Sequence, residues 1–427
     1  MREELLHFIW NYKLLKTREL TSISGAKIKI FHQGELNRDA GPDFFNAKIA
    51  VDGITLVGNV EIHVHSSDWL KHGHENDKAY NNLILHVVYK CDKEIPQNKK
   101  HNVETVELKN YIDAGILKKY NSLLSSASAL PCSKQIKNVE PIKIQSWLQR
   151  MLAERLETKT DYVKHIFAAS QNNFSQTLYL ILARNFGFKV NSEPFELLAK
   201  HVPLQVALKH SSNLFQLEAL YYGCAGFLNK SYKTKYLQQL QNEFEFLKNK
   251  YKFIELDASL WKFLRLRPAN FPTVRLWQFA MVIHKCNELF RNPEQFNSVE
   301  TLHKAISHPN EGYFSNHYKL DGPEVRTIKG LGKNSVENIM INTIAPFLFF
   351  YGKQTANDHF IQAAFECYSE LPFEDNVKTR HFTKAGLKFK TAAESQGIIQ
   401  LFDNYCKNTR CLECGIASNL LINNSSS

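Results

Sequence analysis

The hydrophobic period of this chain changes once, near residue 125, and that change limits the fold more than any other feature. Before it, apolar residues tend to alternate with polar ones, as in strands; after it they recur every three or four residues, as in helices. A mixed α/β N-terminal domain followed by a mostly α-helical domain is expected, an α+β chain. Ile28 and Ile30 alternate with Lys27 and Lys29, residues 44–51 run into Asp52-Gly53, and residues 54–65 resume beyond that turn as the second arm of a hairpin. Residues 83–89 form a nearly continuous apolar run, the pattern of a strand covered on both faces, and residues 103–108 read as a further strand. Leu5, Leu6, Phe8, Ile9, Tyr12 and Leu15 recur at helical spacing ahead of the strands; residues 69–80 form a short helix or loop, and residues 111–124 a second helix.

The domains expected are therefore 1–125, a Ser-rich linker 126–141 carrying Pro131 and Pro141, a helical domain 142–418 (possibly divided), and an Asn/Ser-rich flexible tail 419–427. Within the helical part, helices are expected over 144–167, 174–186, 194–199, 215–227, 233–251, 274–290, 299–305, 335–351, 358–370 and 392–406. The 427 residues, 44% hydrophobic and 22% charged, suffice for two or three folded domains and exclude long disorder. Lys and Arg number 53 against 42 acids, a net +11 that suits a polyanionic partner and equally an ordinary basic surface. No apolar run approaches the roughly 18 residues a membrane span needs, so no membrane is expected. The opening residues, with Glu3 and Glu4, lack a secretory leader's basic-then-apolar order, so a cytoplasmic chain is expected. Of eight cysteines, Cys91, Cys132, Cys224, Cys286 and Cys367 stand alone in sequence and are expected as reduced thiols.

The segment richest in chemistry is Gly41-Pro-Asp43-Phe-Phe, followed by Gly58-Asn-Val-Glu61-Ile-His63-Val-His65. On a strand Glu61, His63 and His65 share one face, while Val60, Ile62 and Val64 share the other. Asp43, at the mouth of the neighbouring strand, supplies a second carboxylate. Two such oxygens facing one another suit a hard divalent cation held against a phosphate. The bland reading is a turn-capping Asp43 and a solvated strand face.

A helix followed by strands bearing Pro42-Asp43 and then Glu61-Ile-His63 resembles the PD-(D/E)XK nuclease superfamily, the restriction-endonuclease-like fold. The resemblance implies Mg²⁺ or Mn²⁺ held by Asp43 and Glu61, nucleic acid as partner, and phosphodiester hydrolysis. His63 stands where that superfamily has lysine; a further carboxylate from the first helix region would be Glu3, Glu4 or Glu19. The string from Gly41 through Trp69 and His86, with Arg267-Pro-Ala-Asn-Phe-Pro and the late cysteines, also resembles a bacterial domain family of unknown function. The rival to a nuclease is a catalytically inactive nucleic-acid-binding or assembly protein that keeps the nuclease-like fold.

Three other constellations compete or add. His63 and His65, with Glu61, His72, His74 and Asp77, offer zinc ligands and faintly resemble the zinc isopeptidases of the MPN type. Cys406, Cys411 and Cys414 are spaced for zinc or an iron–sulfur cluster, with a fourth ligand from Cys132, Cys367, a histidine or none. For phosphate contact, Arg267, Asn270 and Arg275 surround an expected helix start, and Gly330, Gly332 and Lys333 resemble the hairpin of a helix-hairpin-helix module.

Overall fold

The structure, a computed structural model, describes residues 1–74, 77–95, 103–292, 312–326, 328 and 330–423. The chain divides into two compact units, one comprising Met1–Leu148, Asn376–Lys388 and Ile398–Ser427, the other Gln149–Asp375 and Phe389–Gly397.

The first unit is built on a mixed sheet. Its strands are β1 (Glu19–Thr21), β2 (Lys27–His32), β3 (Glu35–Leu36), β4 (Phe44–Val51), β5 (Ile54–His65), β6 (Leu83–Lys90) and β7 (Glu104–Glu107), in the order β1-β2-β4-β5-β6-β7 with β3 paired to β4. The β4–β5 hairpin closes through Asp52 at φ 46° and Gly53 at φ 86°, the two left-handed positions a tight two-residue hairpin turn needs. β5 then pairs parallel with β6, and β6 with β7. The crossover from β5 to β6 carries helix α2 (Asp68–His72) and the 3-10 turn Lys78–Tyr80. Helix α1 (Glu3–Asn11) buries Leu5, Leu6, Phe8, Ile9 and Trp10 and packs against β5.

The second unit is helical around one large apolar core. Helices Phe174–Phe186 and Asp358–Glu370 take the bounds their hydrophobic period predicts. The expected helix 274–290 is two, Pro272–Lys285 and Asn287–Arg291; the expected helix 335–351 runs from Lys333 to Thr355 through a π turn at Met340–Ile344. The expected helix 299–305 lies outside the described residues.

Residues 126–141, expected as a linker, instead bury Leu130, Cys132, Ile136 and Val139, because their Ser-rich composition conceals widely spaced apolar anchors. Residues 376–388 and 398–418 belong to the sheet-bearing unit and not to the helical one with which their helical period grouped them. The expected tail begins inside helix Gly415–Ile422, whose Leu420 and Leu421 are buried; residues 424–427 lie outside the described residues.

Candidate metal centre

Asp43 stands immediately before β4, and the pairing with β5 shifts register between Phe44 and Ala47, where Asn46 adopts φ 57°. Such a bulge at a strand mouth re-aims the neighbouring side chain. The Asp43 N–H donates to Glu61 Oε2 (3.1 Å) and the Ile62 N–H donates to Asp43 Oδ2 (2.8 Å), so each carboxylate is held by backbone beside the other. From α1, His7 Nε2 lies 3.2 Å from Asp43 Oδ2. Glu3 stands one helical turn before His7 and within electrostatic reach of Asp43 and Glu61.

The imidazoles come from three elements. His63 follows Glu61 on β5, His86 sits on β6 directly opposite Glu61 in the parallel register, and His72 and His74 flank the end of α2. Gly73, at φ 71°, ends α2 in a left-handed turn that brings the chain back, a conformation glycine adopts without strain. His63 Nδ1 is 3.0 Å from His86 Nε2, and His63 Nε2 is 3.1 Å from His72 Nδ1. Ligating nitrogens of His63, His72 and His74 all lie within 4.8 Å of one another. Glu61 Oε1 joins them, 3.2 Å from His74 Nε2 and 3.6 Å from His63 Nε2. Trp69, 4% exposed, and Tyr80 wall the cluster, with the Tyr80 and His74 rings 4.1 Å apart.

These positions fix the electrostatics. Burial, then the Asp43 charge, raises Glu61 well above the ordinary carboxylate range. Burial and the neighbouring imidazoles lower His63 to about 2, and burial lowers His86 to about 3, so both are neutral near pH 7. Burial also opposes charge on His7, but its hydrogen bond and attraction to Asp43 prevail and raise its pKa. Neutral imidazoles beside crowded carboxylates offer nitrogen and oxygen lone pairs to a cation. This mixed nitrogen and oxygen donor set fits Mn²⁺ or Zn²⁺ better than the all-oxygen preference of Mg²⁺.

Asp43, Glu61 and His63 are thus brought together. His65 is exposed and pairs with Asp68, and Asp77 caps the 3-10 turn by accepting from the Ala79 N–H, so neither joins the imidazole cluster. Sequence reasoning did not put His7 or His86 at the site. The spacing of Glu3 and His7 on one face of α1 was an available signal; His86 entered only as part of a family resemblance, because only strand pairing sets it opposite Glu61.

Cys132 belongs to the same unit as the late cysteines. Helix Gly415–Ile422, which Cys414 precedes, packs on the 3-10 turn Ile136–Asn138, just beyond Cys132. Burial and the charges of Cys414 and Cys411 push Cys132 up to about 12, while Cys406 is raised by burial and by Cys414, Cys132 and Cys411. Burial holds the Cys414 thiol's pKa up, against the favourable influence of neighbouring N–H groups. Cys367 belongs to the other unit.

The phosphate candidates divide. Arg267 and Asn270 are exposed, but Arg275 is only 6% exposed, inside helix Pro272–Lys285, and cannot lie against a nucleic-acid backbone as an open surface cation would. Gly332 begins helix Lys333–Ile339, and Lys333 reaches Glu337 at 3.9 Å. Residues 312–326 before Gly330 hold a 3-10 turn, Tyr313–Ser315, and not the first helix of a helix-hairpin-helix module.

Residues 3–377 match the model of a family described as "Protein of unknown function (DUF2851)". No curated protein and no solved structure matches the chain. Among the described residues, no helix is long and apolar enough to cross a membrane.

Proposed function

This chain belongs to the DUF2851 family, and we propose that it is a divalent-metal-dependent phosphodiesterase acting on nucleic acid. The observation that carries the reading is the juxtaposition of Asp43 and Glu61 on neighbouring strands, with Glu61 Oε1 facing His63 and His74. The resemblance to the PD-(D/E)XK pattern and the net +11 charge support the choice of a polyanionic substrate.

Glu61, His63, His72 and His74 would hold the ion, with Asp43 at its edge. A bound divalent cation supplies positive charge to the phosphoryl oxygens and acidifies water. The chain's own groups do the rest: His86 fixes the ring of His63, Trp69 and Tyr80 limit water, and His7 can deliver a proton to the leaving oxygen. His63 does not replace the superfamily's lysine, since a buried neutral imidazole carries no permanent charge; its role here is that of a ligand.

The test is Mn²⁺- and Zn²⁺-dependent cleavage of single- and double-stranded DNA and RNA, with Asp43→Asn and His72→Ala as folded controls. Cleavage lost in both controls supports the reading; cleavage that survives Asp43→Asn overturns it. The uncharged His63 also favours a second reading, an inactive nucleic-acid-binding or assembly protein. Salt-sensitive binding without cleavage under any metal would select it.

We also propose that Cys132, Cys406, Cys411 and Cys414 hold a structural zinc ion or iron–sulfur cluster. The support is the close spacing of the last three in sequence and the membership of all four in one unit; among the described residues, only His63, His72 and His74 already bring ligating atoms within 4.8 Å of one another.

A further inference from the structure

The second unit contains a cavity of about 270 Å³ that joins two separate sequence motifs. Asn270 and Arg275 line it from the Arg267-Pro-Ala-Asn270-Phe-Pro segment, and Asn334 and Ser335 from the helix that Gly332 begins. Phe186, Phe188 and Phe195 supply an apolar wall.

Arg275 is the unusual member. Its guanidinium is buried, and its hydrogen-bond partners among the described residues are all neutral: Nη1 donates to Gln278 Oε1 (2.9 Å), and Nη2 to Asn270 Oδ1 (2.6 Å) and Ser335 Oγ (3.3 Å). Its Nε has no hydrogen-bond partner. The ring of Phe188 lies 4.3 Å from the guanidinium carbon and is placed there by a backbone at φ 49°, a costly conformation for a bulky residue. Burial alone lowers the group to about 10, which leaves it charged near pH 7. A buried cation without a counter-charge is expensive, and a strained aromatic holding it in a cavity wall implies an anion that completes the site.

We propose that this cavity binds a phosphate ester of about mononucleotide size, its phosphate at Arg275 and its flat apolar part against the phenylalanines. Asn270, exposed at the rim, is the neutral acceptor that the phosphate displaces at Nη2. Carboxamides at Asn270 and Asn334 and the Ser335 hydroxyl provide further donors, which suits a tetrahedral oxyanion with several acceptor oxygens better than a planar carboxylate. The site belongs to a different unit of the chain from the metal centre and does not depend on the phosphodiesterase reading.

The experiment is calorimetric titration of the full-length, chelator-treated protein with AMP, inorganic phosphate, adenosine and succinate. Chelation removes phosphate binding through an ion at the metal centre. AMP should bind more tightly than inorganic phosphate, and adenosine and succinate should not bind. Arg275→Gln and the exposed Asn334→Asp, which sets a negative charge at the cavity, should each weaken AMP at least tenfold; the second variant keeps the test open should the first fail to fold. Failure of AMP to bind, binding unchanged in Asn334→Asp, or succinate binding as tightly as AMP would overturn the proposal.

Discussion

At the residue scale, Glu61 links the site's chemistry to pH. Its pKa is raised by burial and by Asp43, so near pH 7 an incoming cation must displace a proton. Metal affinity should therefore rise as pH increases toward the Glu61 pKa, by up to about tenfold per unit, with proton release that depends on buffer ionisation in calorimetry. Glu61→Gln should abolish that pH dependence and weaken the ion by about 10–100-fold or more. His63→Lys, which installs the superfamily's usual residue, should lose the metal as well, since an ammonium would sit between His72 and His86. In the helical unit, Glu218 is fully buried, receives a hydrogen bond from the Tyr236 hydroxyl, and is raised by burial to about 8. The unfolded chain ionises this group near 4.5 and the folded chain only near 8, so its favourable contribution is present below pH 4.5 and is lost as pH rises between those values. Glu218→Gln should raise the unfolding free energy at pH 8 by about 1–3 kcal/mol and leave it nearly unchanged at pH 4, as urea titrations at the two pH values would record.

At the scale of elements, β5 carries the site, and its position against β6 depends on Gly58. A Cβ there would lie 2.5 Å from the Asn82 carbonyl oxygen and from Ile84 Cγ2, too close without strand displacement. Gly58→Ala should cost about 1–3 kcal/mol by thermal or urea unfolding and should also lower metal affinity, because the displaced strand carries Glu61 and His63. The same strand shows what was legible beforehand. Alternation from Gly58 to His65 and the Asp52-Gly53 turn disclosed the hairpin and put Glu61 and His63 on one face, since both signals are local. β1 and β3, three and two residues long, carry too little period to be read. Helix Gly415–Ile422 escaped because Asn and Ser around it hide the apolar set Ile416, Ala417, Leu420 and Leu421. His72, His74 and His86 reach His63 through a left-handed glycine and a parallel pairing, neither of which has a residue-by-residue signature.

For the molecule as a whole, the first unit takes in early and late stretches of chain, and helix Gly415–Ile422 packs there on the turn Ile136–Asn138. If Cys132, Cys406, Cys411 and Cys414 share a metal, protein purified without chelator should contain about one zinc per chain at this site, or iron with sulfide. Cys132→Ser and Cys414→Ser should each lose that metal and lower the melting temperature; full reactivity of all four thiols in native metal-free protein would refute the site. Three of the four were recognisable from close spacing, while Cys132, 274 residues before Cys406, was one candidate among several, and only the fold puts it in the same unit as they are. The central claim is that the carboxylates and imidazoles around Glu61 form one metal centre, and anomalous diffraction from crystals grown with Mn²⁺ tests it most directly. The account predicts a manganese peak about 2.0–2.3 Å from a Glu61 oxygen and from nitrogens of the His63, His72 and His74 cluster; an ordered cluster with no peak there at saturating Mn²⁺ would contradict it.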